Sequence, residues 1–183
     1  MRAADVADSV TVEVRRSGRR FEAEAMLDLD ASARTVWNTI TDYDALPGFM
    51  PGIRACRVLE RQAQGRAAER LVVEQHGEFR FLLFAQAMKV LLHVEHRDQR
   101  VAEAKAVSFD LGVFKGRAID VFEGRYELEP AYARRQSPRV QLRYRAVIGL
   151  RLSPPPGVGS IAVRHNLEAQ LRAVASEVAR RGS

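Results

Sequence analysis

An α+β architecture, with an antiparallel sheet and a long C-terminal helix, is what this 183-residue sequence predicts, and three patterns predict it. Phe21, Ala23, Ala25, Leu27 and Leu29 alternate with Glu22, Glu24, Asp28 and Asp30, so every second side chain faces a core. Near the other end Val140, Leu142, Tyr144, Ala146, Ile148, Leu150 and Leu152 form one face, and Arg139, Gln141, Arg143, Arg145 and Arg151 the other. One buried and one wet face is the mark of an antiparallel sheet. Behind Ser153-Pro154-Pro155-Pro156-Gly157, residues Val163, Leu167, Leu171, Val174 and Val178 recur at three- and four-residue spacing, which gives a long helix from about Val158 to Arg180 with one apolar stripe.

The remaining elements follow in order. Met1 to Ser9 hold Arg2, Asp5 and Asp8 and lack the apolar centre of a secretory signal. Val10, Val12 and Val14 start a strand that Ser17-Gly18 turns back into the alternating one. Asp30 or Ser32 then caps a helix, since a short polar side chain accepts a bond from the first free amides. Val36 and Ile40 share one face of it, beside Trp37 and Tyr43. Pro47 and Pro51 limit a second helix to little more than one turn. Strands are expected at Ile53 to Arg61, Ala67 to His76, Phe79 to Gln86, Met88 to His96, Arg100 to Phe109, Ile119 to Glu129 and Val140 to Leu152. Gln64-Gly65, Gly77, Asp98-Gln99 and Pro130 to Pro138 supply the turns between them.

Composition narrows the function. Hydrophobic residues make up 46% and charged residues 28%, an ordinary soluble balance. Phe79 to Val94, the richest apolar run, is broken by Arg80, Gln86, Lys89 and His93 and reads as strands, not as a membrane span. The single cysteine, Cys56, fits a reducing cytosol, and a cytoplasmic protein with room for peripheral attachment to a membrane surface is expected. All but three of the 29 basic residues are Arg, the exceptions being Lys89, Lys105 and Lys115, and they are scattered. The net charge of +6 therefore reads as arginines on solvated faces, and no nucleic-acid partner is expected.

Catalytic and metal chemistry finds little footing. Cys56 sits between Arg54 and Arg57 in a strand and reads as an inert buried thiol. Ser108 and Ser160 lack a nucleophile elbow. In His93-x-Glu95-His96 the first two residues share a face while His96 points away, so no metal is expected and the cluster reads as a solvated edge. Gly157-x-Gly159-x-x-Ala162 matches a dinucleotide fingerprint in letters only, because it follows three prolines instead of a parallel strand. No cofactor is expected.

Val36-Trp37-Asn38-Thr39-Ile40-Thr41-Asp42-Tyr43-Asp44-Ala45-Leu46-Pro47-Gly48-Phe49-Met50-Pro51-Gly52-Ile53 resembles the start of the START-like superfamily, in its polyketide cyclase/dehydrase and coenzyme Q-binding branch. The likeness continues through Val58-Leu59-Glu60-Arg61, Val73-Glu74-Gln75-His76-Gly77, Glu123-Gly124-Arg125-Tyr126 and Arg164-His165-Asn166-Leu167. It departs at Tyr126, where Trp is usual, and in a longer Phe109 to Ala118 segment, which leaves the position of the ligand portal open. The resemblance implies a helix-grip fold, a curved antiparallel sheet wrapped around the terminal helix, and one domain over residues 1–183.

It also implies a cup for an apolar ligand of quinone, isoprenoid, lipid or polyketide type. Ala102, Ala104 and Ala106 put only small side chains on one strand face, which either leaves room for a ligand or admits a close helix. With them, Phe49, Phe81, Leu83, Val90, Leu92, Phe122, Tyr126, Tyr144, Leu171 and Val174 are the expected ligand contacts. A non-catalytic binding or transfer protein is the favoured reading. An aromatase/cyclase with Tyr126, Tyr144 or His76 as acid/base helpers is the first alternative, and a protein-interaction module acting on a ribosome or respiratory complex is the second. The oligomeric state is left open.

Overall fold

In the computed structural model, residues 10–81, 84–110, 119–130, 139–151 and 157–182 are described, with the side chains of 79–86 and 109–110 excepted. The alternating segment becomes β2 (Arg20–Leu29), paired on one side with β1 (Thr11–Ser17) and on the other with β8 (Val140–Leu150). Between them in sequence lie β3 (Ile53–Ala63), β4 (Ala68–Phe81), β5 (Phe84–Arg97), β6 (Val101–Asp110) and β7 (Ile119–Pro130). These eight strands form one antiparallel sheet in the order β1-β2-β8-β7-β6-β5-β4-β3. It does not close into a barrel; it curves around the terminal helix, α3 (Val158–Gly182). Two short helices, α1 (Ala33–Ile40) and α2 (Leu46–Phe49), separate β2 from β3.

Local chemistry sets the start of α1. Ser32 Oγ accepts the Thr35 amide at 3.1 Å and caps the helix, while Asp30 pairs with Arg139 at 2.7 Å instead. In the β5–β6 hairpin Asp98 and Gln99 both take left-handed backbone angles, the pattern of a tight primed turn.

One expectation needs correction. The three strands expected between Ala67 and His96 are two long ones, β4 and β5, and Gly77 is not a turn. Gly77 pairs with Ile53 and Met88 in mid-strand. A Cβ there would lie 2.3 Å from the Gly52 carbonyl oxygen, and that carbonyl accepts the Glu78 amide at 2.7 Å. Glycine is required because another segment crosses the strand closely, not because the chain reverses. Residues 82 and 83, between β4 and β5 in sequence, lie outside the described residues, as do the expected turn over 131–138 and the 111–118 part of the long Phe109 to Ala118 segment.

The core is the space between the concave sheet face and the stripe of α3. Val163, Leu167, Leu171, Val174 and Val178 are buried, packing toward Phe21, Leu27, Leu29 and Leu142 of the sheet. On the outer face, cross-strand ion pairs take up the arginines: Arg145 with Glu24, Arg125 and Arg97 with Glu103, Arg143 with Glu129. Each exposed pair contributes about 0–1 kcal/mol, so they mark solvated surface more than they stabilise it.

A tighter ionic cluster ties α3 to the α1–α2 link. Glu177, buried on α3, binds Arg180 at 2.6 Å and Arg181 at 2.7 Å, while Arg181 also reaches Asp42 Oδ2 at 2.9 Å and lies over the Phe49 ring. Hydrogen bonds from Arg180, then Arg181, hold the Glu177 carboxyl at about 2, below its ordinary 4.5. A depressed carboxylate contributes stability that is complete above the unfolded value and is lost as pH falls through the folded one. The melting-temperature gap between wild type and Glu177→Gln is thus expected to be full at pH 7 and to shrink between about pH 4.5 and pH 2. Thermal melts across that range check it; a constant gap would show that the cluster contributes nothing through its charge.

Candidate binding cavity

A cavity of about 860 Å³ lies between the concave face of the sheet and the first half of α3. That is within the range of small-molecule sites, and its wall is built as such sites are, apolar with a few polar groups. Val90, Leu92 and Val94 of β5 supply one side, Phe122, Tyr126, Tyr144 and Ile148 of β7 and β8 the other. Between them Ala102 and Ala104 of β6 present only methyl groups, so the middle of the wall is set back. Ile40, Tyr43, Leu46 and Met50 close one end, and Ala162, Val163 and Leu167 of α3 form the roof. Arg54, His76, Glu78, Ile161 and His165 stand at the rim, where Arg54 and Glu78 form an ion pair and Ile161 is 64% exposed.

Local irregularities aim these side chains. A register shift between Ile119 and Val121 lets both Ile119 and Phe122 turn inward. At Gly124 an added Cβ would stand 3.2 Å from the Tyr144 hydroxyl and 3.5 Å from the Phe122 ring, so the missing side chain is the space these two occupy. The Tyr126 and Tyr144 rings then pack 4.6 Å apart. Burial pushes the Tyr126 hydroxyl up to about 12 and that of Tyr144 higher still, the latter also opposed by Tyr126.

Of the residues expected to meet a ligand, Val90, Leu92, Ala102, Ala104, Phe122, Tyr126 and Tyr144 line this cavity. Leu171 and Val174 do not; they lie in the core under the second half of α3. A helix of 25 residues is about 37 Å long and outruns the cavity, so only its first half forms the roof. Phe49 sits under Arg181 on the outer side of α2, while Leu46 and Met50 take the inner side of that single turn. Ala106 packs against the core opposite Leu92, where the β5–β6 register shifts, and is not part of the wall. Leu83 and the side chain of Phe81 lie outside the described residues.

His76 does not join the two tyrosines. Its imidazole lies 3.1 Å from Glu74, two residues away on the same face of β4, and Arg57 and Lys89 converge on that carboxylate. Hydrogen bonds from Lys89, Arg57 and His76 hold Glu74 at about 2. Burial raises the Cys56 thiol to about 11, which leaves almost no thiolate at neutral pH.

The buried polar feature not foreseen is His96. It is not on a solvated edge: it is 4% exposed and ends the inward row Val90, Leu92, Val94. Its Nε2 lies 2.8 Å from the Tyr43 hydroxyl and its Nδ1 2.8 Å from Glu69, and the Trp37 ring meets it edge-on. The alternation that ran through Val94 was the signal that placed it inside.

Comparison with known proteins follows from this geometry. The sequence model of the family described as polyketide cyclase/dehydrase and lipid transport matches residues 29–148. A search of curated proteins gives no significant match. Among solved structures, a START superfamily protein from Mycobacterium smegmatis aligns with a TM-score of 0.69 at 18% identity, over 87% of this chain and 97% of that one. A STAR-related lipid transfer protein from Xanthomonas axonopodis gives 0.70 at 18%, over 94% of each chain. The Zhui aromatase/cyclase from Streptomyces sp. R1128 gives 0.65 at 17%, over 88% of this chain and 95% of that one. At such identities the likeness establishes a START-like fold. Among the described residues no helix is long and apolar enough to cross a membrane.

Proposed function

Because this chain belongs to the polyketide cyclase/dehydrase and lipid transport family, we propose that it binds an apolar small molecule in the cavity under α3 and carries it without transforming it. The observation that supports this most is the set-back wall at Ala102 and Ala104, flanked by Val90, Leu92, Phe122 and Tyr126. Protein interiors pack to few voids, so a cavity of about 860 Å³ with such a wall is suited to an occupant. Quinone, isoprenoid, lipid and polyketide ligands all suit its size and polarity. Exposed Ile161 at the rim supports transient contact with a membrane surface during loading.

Cyclase activity is the second reading, and the Tyr126–Tyr144 pair favours it. A general base works best with a pKa near the operating pH. Burial drives both tyrosines away from that range, so they serve as neutral hydrogen-bonding groups at pH 7. The carrier reading predicts saturable binding of a fluorescent fatty acid or quinone, with no turnover of a linear polyketide mimic. Product formation that disappears in Tyr126→Phe or Tyr144→Phe would replace the carrier by the enzyme.

A further inference from the structure

Backbone register places four side chains in one row across the concave face: His96 opposite Ala102, Ala102 opposite Tyr126, and Tyr126 opposite Tyr144. Strands lie about 4.8 Å apart, so the backbones at His96 and Tyr126 are roughly 10 Å apart, and the strand between them contributes only the Ala102 methyl to the row. Tyr43, from the α1–α2 link, drops its hydroxyl onto His96 at one end of that row. Tyr43, Ala102, Tyr126 and Tyr144 line the cavity and His96 is buried outside that lining, in contact with Tyr43; set against the exposed rim at Ile161 and Arg54, this is the inner end of the cavity.

Donor and acceptor roles along the chain are fixed by elimination. The Glu69 carboxylate only accepts, and Arg61 stands 3.2 Å from it, so His96 Nδ1 carries the proton and donates to Glu69. Burial lowers the imidazole pKa, with Glu69 opposing, which keeps Nε2 a bare acceptor. Tyr43 must therefore donate its O–H to Nε2, and what its oxygen still offers is a lone pair. At the other end of the row Tyr144 is 5% exposed, lines the cavity, and forms no hydrogen bond among the described residues. Its hydroxyl is therefore open to the cavity and free to donate to an occupant.

We infer that the inner end of the cavity is a hydroxyl-recognition site, where a ligand O–H donates to Tyr43 and accepts from Tyr144. The cargo is accordingly an amphipathic alcohol or phenol that enters hydroxyl-first and leaves its apolar body between β6 and α3. His96 and Glu69 are positioning residues, because they act on the ligand only by fixing the direction of the Tyr43 hydroxyl. This rests on the carrier reading and specifies which end of the ligand is held.

A matched pair of probes, 1-hydroxypyrene and 1-methoxypyrene, tests it by fluorescence titration of the full chain at pH 7. Both accept a hydrogen bond, and only the first donates one. Wild type is expected to bind the phenol about three- to tenfold more tightly, the worth of one net hydrogen bond. Tyr43→Phe should erase that preference, read as the ratio of the two affinities, with a thermal melt reporting separately that the variant is folded. Tyr144→Phe should weaken both probes and keep the preference. Equal affinity of the two probes in wild type, or a preference that survives Tyr43→Phe, would overturn the hydroxyl site and leave the carrier reading standing. Failure of both probes to bind wild type would instead remove the carrier reading, and the site with it.

Discussion

Leu171→Asp is expected to destabilise the protein by about 3–5 kcal/mol, a drop in melting temperature of about 10 °C or more. Leu171 is 1% exposed, midway along α3, where no cation stands to pair with an introduced carboxylate among its core neighbours Val163, Val174 and Val178. The aspartate would be buried without a partner or would lift the helix from the sheet, and both outcomes cost several kcal/mol. Arg164→Ala, on the exposed side of the same helix, should stay within about 0.5 kcal/mol. Circular-dichroism melts of the two variants measure the difference. Equal melting temperatures would mean that α3 does not pack on the sheet through this stripe.

Ala104→Phe carries the second large effect, and it separates two roles for the same methyl group. Ala104 lines the cavity on β6, opposite Gly124 in the register. With open space before it, a phenyl ring fills volume a ligand would use. Probe affinity should then fall at least tenfold while stability changes by less than about 1 kcal/mol. Were the face packed against α3, the same ring would overpack the core at about 1–3 kcal/mol and leave binding by the folded fraction intact. Affinity and melting temperature measured on one preparation distinguish the cases.

The sheet and the terminal helix were legible in the sequence because their periodicities are local. Phe21 to Leu29 alternates every second residue, and Val163 to Val178 recurs every three or four, so each declares its buried face without knowledge of a partner. Gly77 was not legible, because its reason lies in Gly52, a carbonyl 25 residues earlier that crosses the strand. Leu171 and Val174 are apolar and inward like true wall residues, and only the extent of the cavity under α3 separates core from wall; Phe49 is apolar too, and only the fold shows that Arg181 covers it on the outer side of α2. His96 was within reach: it continues the row Val90, Leu92, Val94, and a polar residue in such a row needs buried partners. Those partners, Tyr43 and Glu69, come from distant segments, so their identity waited for the fold.

Native mass spectrometry of the freshly purified full chain, run beside Ala104→Phe, tests the carrier reading most directly. Wild type is expected to show a population heavier by one apolar molecule, released on organic extraction and absent from the variant. Identical ligand-free masses for both proteins, with no saturable uptake of an added fatty acid or quinone by wild type, would contradict it.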